Sequence, residues 1–226
     1  NNGGDGYVAA RLLQDEGWPV VVAPLAPPRP GSAAAQAAAA WNGPVHTPTE
    51  AAIARADLVV DAVFGAGLSR PVEAPVAALL AAARRLVAID RPSGSYGATG
   101  AGLGAAPKAA LTVTFFRLKP GHLLLPGRLH CRQIELADIG LPETVLQTIR
   151  PSLFANVPSL WSLPASREAD NKYARGHLTV LGGAEMTGAA RLAAAAARRA
   201  GAGLVRIAAT PGVGGLATLY RTGAPG

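Results

Sequence analysis

Asp57-Leu-Val-Val-Asp-Ala-Val-Phe64, a glycine-containing loop, the alanine- and leucine-rich segment Glu73 to Arg85, and Leu86-Val-Ala-Ile-Asp90 read in succession as strand, loop, helix and strand. The two apolar runs are short and rich in β-branched residues, whereas the segment between them carries helix formers at helical spacing. Such alternation specifies a parallel sheet covered by helices, since parallel neighbours need a crossover. Working outward, Leu111-Thr-Val-Thr-Phe-Phe116 supplies a further strand, Gln133 to Ile139 a last one and Pro142 to Ile149 a closing helix. Toward the start lie a helix from Thr49, as its cap, to Ala56, an alanine-rich helix over 33–40, a buried strand at Val20-Val-Val-Ala23 and a helix over 5–16.

The pattern stops at Pro151 to Asp170, a proline-containing stretch without a clear period that reads as a linker, and then restarts. A strand from His177 to Leu181, a helix from Thr187 to Ala200, a strand from Leu204 to Ala209 and the opening of another helix form one β-α-β unit. The expected organisation is a first domain over 1–150, a linker over 151–170 and the start of a second α/β domain over 171–226. The chain opens without a methionine inside what reads as a strand-to-helix loop, so it is expected to be a fragment at both ends.

Half of the 226 residues are hydrophobic, enough for a sizeable core. No uncharged apolar run reaches the roughly 18 residues of a membrane helix, which argues against a membrane protein. The net charge of +7 is spread as arginine and is not interleaved with aromatics, which make up 5% of the chain, so no nucleic-acid partner is expected. The single cysteine, Cys131, allows no internal disulfide, as suits a cytoplasmic protein, and falls in an expected strand as a small buried hydrophobe.

Ligands of an open parallel sheet sit beyond the carboxyl ends of its strands. Three polar loops fall at such ends: Asn1-Asn-Gly-Gly-Asp-Gly6; Asp61 with Gly65-Ala-Gly-Leu-Ser-Arg-Pro71; and Asp90-Arg-Pro-Ser-Gly94. The glycines let backbone N–H groups approach an anion. Taken singly each loop is weak, since neither a complete dinucleotide fingerprint nor a GxxxxGK[ST] loop is present.

These blocks, with Thr112-Val-Thr-Phe115, Lys119-Pro-Gly-His122 and Ala137-Asp-Ile-Gly140, resemble the NAD(P)H-hydrate epimerases in the bifunctional form fused to an ADP-dependent NAD(P)H-hydrate dehydratase. Lys172-Tyr-Ala-Arg-Gly-His177, Leu181-Gly-Gly183, Met186-Thr-Gly-Ala-Ala190 and Ala200-Gly-Ala-Gly-Leu-Val205 look like the opening of the dehydratase. The resemblance implies a three-layer Rossmann-like first domain and a ribokinase-like second one. It implies epimerisation of the C6 hydrates of NADH and NADPH, with dehydration of the S form by the complete protein using ADP or ATP, Mg2+ among its expected cofactors. A homo-oligomer acting on a small molecule is expected.

Residue by residue, the resemblance implies a substrate site on Asn1, Asn2, Gly3, Gly4 and Asp5, on Gly65, Ala66, Gly67, Leu68, Ser69, Arg70 and Pro71, and on Asp90. In the second domain Ala189 matches a substrate-contact position. A potassium site is implied at Asn2, Asp61 and Ser93, whose hard oxygen donors suit an alkali cation. Asp90 is the expected acid/base, and Lys119 could orient the ring or a phosphate. His122, His130 and His177 receive no role. Arg91 departs from the family's usual aliphatic residue and is expected to lower the Asp90 pKa and blunt its acid role. The competing readings are a non-catalytic binding scaffold, which has no chemical reason to keep Asn2, Asp61, Asp90 and Ser93 together, and a ribokinase-type kinase, which leaves 1–140 unexplained.

Overall fold

A computed structural model describes residues 2–209 apart from 164, 166, 184 and 186; Asn1, Met186 and the helix expected after 209 lie outside the described residues. The chain divides into two compact units between Phe154 and Ala155, inside the stretch read as a linker.

In the first unit, helices α1 (Asn2–Asp15), α2 (Ala33–Ala39) and α3 (Glu50–Arg55) precede strand β1 (Val59–Asp61). Helix α4 (Ala74–Ala81), β2 (Leu86–Ile89), β3 (Leu111–Phe115), the short helices α5 (Pro120–Leu123) and α6 (Gly127–Cys131), β4 (Gln133–Ala137) and α7 (Val145–Ile149) follow. The four strands form one sheet in the order β1-β2-β3-β4, every pair parallel, as the alternation predicts. Leu80 of α4 packs on Leu86 and Ala88 of β2 and on Ala109 to form the buried core, with Val76 and Ala83 against it. Thr49 caps α3, its hydroxyl accepting from the Ala52 N–H at 3.2 Å.

Three of the four strands end at the same rim by a visible device. Asp61 Oδ1 accepts from the Val63 N–H, a side-chain-closed turn that ends β1 three residues short of the expected Phe64. Beyond β2, Asp90 has φ +67°, and beyond β3, Phe116 has φ +63°, both in the left-handed region that breaks an extended chain.

Three expectations are corrected. The Asn1–Gly6 loop is, from Asn2 onward, the first turn of α1. Its glycines serve close packing rather than a free turn: a Cβ at Gly4 would lie 3.1 Å from Ala34 Cα in α2, and one at Gly6 would lie 2.6 Å from Ala62 Cβ. Val20–Ala23 is not a strand of the sheet; flanked by Pro19 and Pro24, it makes only an isolated parallel bridge between Val22 and Val45. Cys131 closes helix α6 instead of lying in a strand, although it is buried as expected.

The second unit holds a short 3₁₀ turn at Pro158–Leu160, then β5 (His177–Gly182), α8 (Gly188–Arg199) and β6 (Leu204–Ala209), with β5 and β6 parallel and α8 packed on both. This is the β-α-β unit expected from the sequence. Among the described residues, no helix is long and apolar enough to cross a membrane.

Candidate active site

The register of the sheet lines up the polar groups of the rim. Asp61 is opposite Ala88, which is opposite Thr112, so these side chains share one face, as does Thr114 two residues further along β3. Asp61, Thr112 and Thr114 are almost completely buried. A buried carboxylate and two hydroxyls on an otherwise apolar sheet must all be bonded. They are: the Thr112 hydroxyl donates to the Cys131 carbonyl at 2.9 Å and that of Thr114 to Asp90 Oδ1 at 3.0 Å.

Asp61 and Ser93 form one knot. The Ser93 N–H donates to Asp61 Oδ2 at 2.8 Å and its hydroxyl to Oδ1 at 2.7 Å, while the Phe64 N–H donates to Ser93 Oγ at 3.0 Å. The turns after β1 and β2 are thereby tied together. Burial pushes the Asp61 carboxyl above its usual value, against these hydrogen bonds, which pull it down. None of the ion pairs among the described residues involves Asp61.

Asp90 stands differently. Its Oδ1 pairs with Lys119 Nζ at 2.8 Å, and Lys119 in turn donates to Thr114 Oγ1 at 2.8 Å and to the Phe115 carbonyl at 3.2 Å. Burial raises the Asp90 pKa, but the Lys119 ammonium, the Thr114 hydroxyl and, last, the Arg91 charge outweigh it and hold the carboxyl below the usual range. No hydrogen bond among the described residues reaches Oδ2. It faces Gly65, where an added Cβ would lie 3.2 Å from it and 3.0 Å from Asn2 Oδ1. Asn2 is fixed in turn by donating its Nδ2 to the Ile89 carbonyl at 2.8 Å. Gly65→Ala should therefore displace Asn2 Oδ1 and Asp90 Oδ2 by a few tenths of an ångström with little change in Tm, measured by crystallography and thermal melting.

Beside Gly65 opens a hollow of about 270 Å³ lined by Val63, Phe64, Gly65, Gly67, Leu68, Ser69 and Arg70. Five of the seven residues expected from the second loop border it; Ala66 and Pro71 do not, and Val63 and Phe64 were not expected. Gly3, Gly4 and Asp5 lie in the first turn of α1, where burial against neighbouring groups raises the Asp5 carboxyl and the like charge of Asp90 adds to the rise. Ala189 is in the first turn of α8, in the other unit. Asn1 is outside the described residues.

Two residues depart from expectation. His122, given no role, is fully buried: its Nδ1 accepts from the Lys119 N–H at 3.1 Å, so its Nε2–H donates to the Asp90 carbonyl at 2.8 Å. Burial lowers its pKa, keeping the ring neutral while it clasps the backbone of both members of the ion pair. Arg91 does lower the Asp90 pKa, as expected, but as the smallest contribution after Lys119 and Thr114; its guanidinium makes its hydrogen bond to the Gly65 carbonyl at 2.9 Å, a contact the sequence did not suggest.

The model of the YjeF-related protein N-terminus matches residues 1–121, more than half of the chain. The chain belongs to this family. Among curated relatives it is 38% identical to the bifunctional NAD(P)H-hydrate repair enzyme Nnr of Coxiella burnetii, with 93% of this chain and 46% of that protein aligned. It is 37% identical to the protein of the same name from Escherichia coli (92% and 42%) and 40% identical to that of Mycobacterium tuberculosis (93% and 43%). The chain thus spans about half the length of the curated relatives it matches. The parallel α/β sheet of the first unit accords with the family match, which covers α1 through β3 and the start of α5.

Proposed function

We propose that the first unit epimerises NAD(P)H hydrate at C6 of the reduced nicotinamide ring, and that residues 171–209 open a ribokinase-like dehydratase domain. The names of the relatives support this reading. The observation that carries it is the divided environment of Asp90, with one oxygen saturated by Lys119 and Thr114 and the other free beside Gly65 and Asn2.

Epimerisation requires the C6 hydroxyl to leave as water and return on the opposite ring face. The departing hydroxyl takes its proton from solvent; an ionised Asp90 Oδ2 stabilises the positive ring while C6 is trigonal, then takes one proton from the water that adds to the opposite face and passes it back to solvent, so that no net proton is gained or lost. Lys119 keeps the carboxylate charged and aimed, and His122 holds the backbone on which both stand. The glycine-rich wall of the hollow suits the pyrophosphate, which needs N–H donors more than a counter-charge.

Asn2, Asp61 and Ser93 fit a potassium ion. Their donors are a carboxamide oxygen, a carboxylate and a hydroxyl, and the carboxylate is buried with no cationic partner among the described residues. Bound there, the ion would supply charge neutralisation and hold the turns after β1 and β2 against α1. ADP or ATP with Mg2+ belongs, on this reading, to the dehydratase.

Purified R hydrate of NADH incubated with the protein in potassium buffer should yield the S hydrate until both reach equilibrium, followed by chromatography. An R hydrate that converts no faster than in buffer alone would end this reading and favour a non-catalytic scaffold.

A further inference from the structure

We infer that Arg91 is a positioning residue that presets the turn facing the substrate's anionic end. Its side chain is 1% exposed, yet it makes a single hydrogen bond, from Nη2 to the Gly65 carbonyl; Nε and Nη1 have no partner among the described residues. The same carbonyl accepts the Leu68 N–H at 3.1 Å, which closes the turn Gly65–Leu68 on the wall of the hollow. Arg91, in the segment after β2, therefore grips the turn after β1 at the atom that determines its shape. Burying a guanidinium with most donors idle stabilises a fold poorly, and an apolar residue of similar volume is usually neutral or better there. What the guanidinium contributes is a fixed loop.

Gly97 makes room for it. A Cβ at Gly97 would overlap Arg91 Nη1 and crowd Cζ. The two positions form one device: a glycine at 97 allows the guanidinium to lie flat beneath the loop. This inference rests on reading the hollow as the pyrophosphate end of the site.

Amide hydrogen exchange of the ligand-free protein, with Arg91→Leu and Gly97→Ala, tests the device without depending on that reading. In either variant the Leu68 amide should exchange about tenfold faster, the scale of losing one charge-assisted hydrogen bond, while the Asp90 amide bonded to the Val113 carbonyl keeps its rate. Gly97→Ala added to Arg91→Leu should speed Leu68 no further, since the grip is already gone. With hydrated NADH, Arg91→Leu should raise KM about tenfold and leave kcat within about threefold, the pattern of lost uniform binding. Unchanged exchange at Leu68 would overturn the inference, as would equal acceleration at the Asp90 amide, which would make Arg91 a general structural residue. A fall in kcat at constant KM would overturn the link to anion binding. If the unsubstituted protein converts no hydrate, the proposed function fails, and the exchange measurements still decide whether Arg91 holds the turn.

Discussion

Asp90→Asn should lower R-to-S conversion about 10³-fold, within the span that general acid–base groups contribute, while far-UV circular dichroism and Tm stay close to those of the parent protein. The fold should tolerate it because position 90 sits at φ +67°, and asparagine, with aspartate, is among the few side chains that adopt that region readily. The carboxamide oxygen introduced there can still accept from Thr114 and Lys119, so the loss isolates the charge and the proton acceptor. The pH dependence follows from the same ion pair. Lys119 holds the carboxyl below its ordinary pKa, so the active carboxylate persists through neutral pH and conversion declines only as pH falls below about 4. Conversion by Asp90→Asn within about threefold of the parent rate would remove Asp90 from the chemistry.

The second large effect concerns Asp61 and potassium. Burial raises the Asp61 pKa above its unfolded value, so the folded chain binds this proton more tightly than the unfolded one. The contribution of the group is fully present below the unfolded pKa of about 3.9 and is lost as pH rises through the raised folded value. At neutral pH the carboxylate is therefore a liability that a bound cation would remove. Replacing choline by potassium at equal ionic strength should raise the Tm at neutral pH by about 4 °C, as expected for roughly 1.4 kcal/mol of linkage at tenfold excess over Kd. The gain should fade as pH falls through the raised folded value, where a proton takes the ion's place, and be absent in Asp61→Asn, which accepts hydrogen bonds but carries no charge. A shift that survives in Asp61→Asn would move the potassium elsewhere.

The sheet was legible in the sequence because β2 is a continuous apolar run and β3 is made wholly of β-branched, aromatic and leucine residues, both bounded by polar loops, a pattern that local composition alone can reveal. The meeting of the Asp61, Asp90 and Ser93 loops followed from one rule, that parallel strands deliver their carboxyl ends to a single edge. The first turn of α1 was hidden for the opposite reason. Three glycines in six residues argue for a loop until Ala34 and Ala62 are seen pressed against them, and that pressure comes from distant parts of the chain. His122 was equally opaque: its partners are the backbones of residues 90 and 119, which leave no side-chain signature. Arg91 was noticed, but its direction depended on the small neighbour at 97.

Because β1, β2 and β3 are adjacent and parallel, the intervals between Asp61, the Asp90 backbone and Thr114 are set by main-chain hydrogen bonding across the sheet, about 4.8 Å per strand. The backbone acts as a ruler whose graduations no side-chain exchange can alter. The loop after β1 can therefore be lengthened, shortened or recoded to suit a different nucleotide while Asp90 and Thr114 keep their separation.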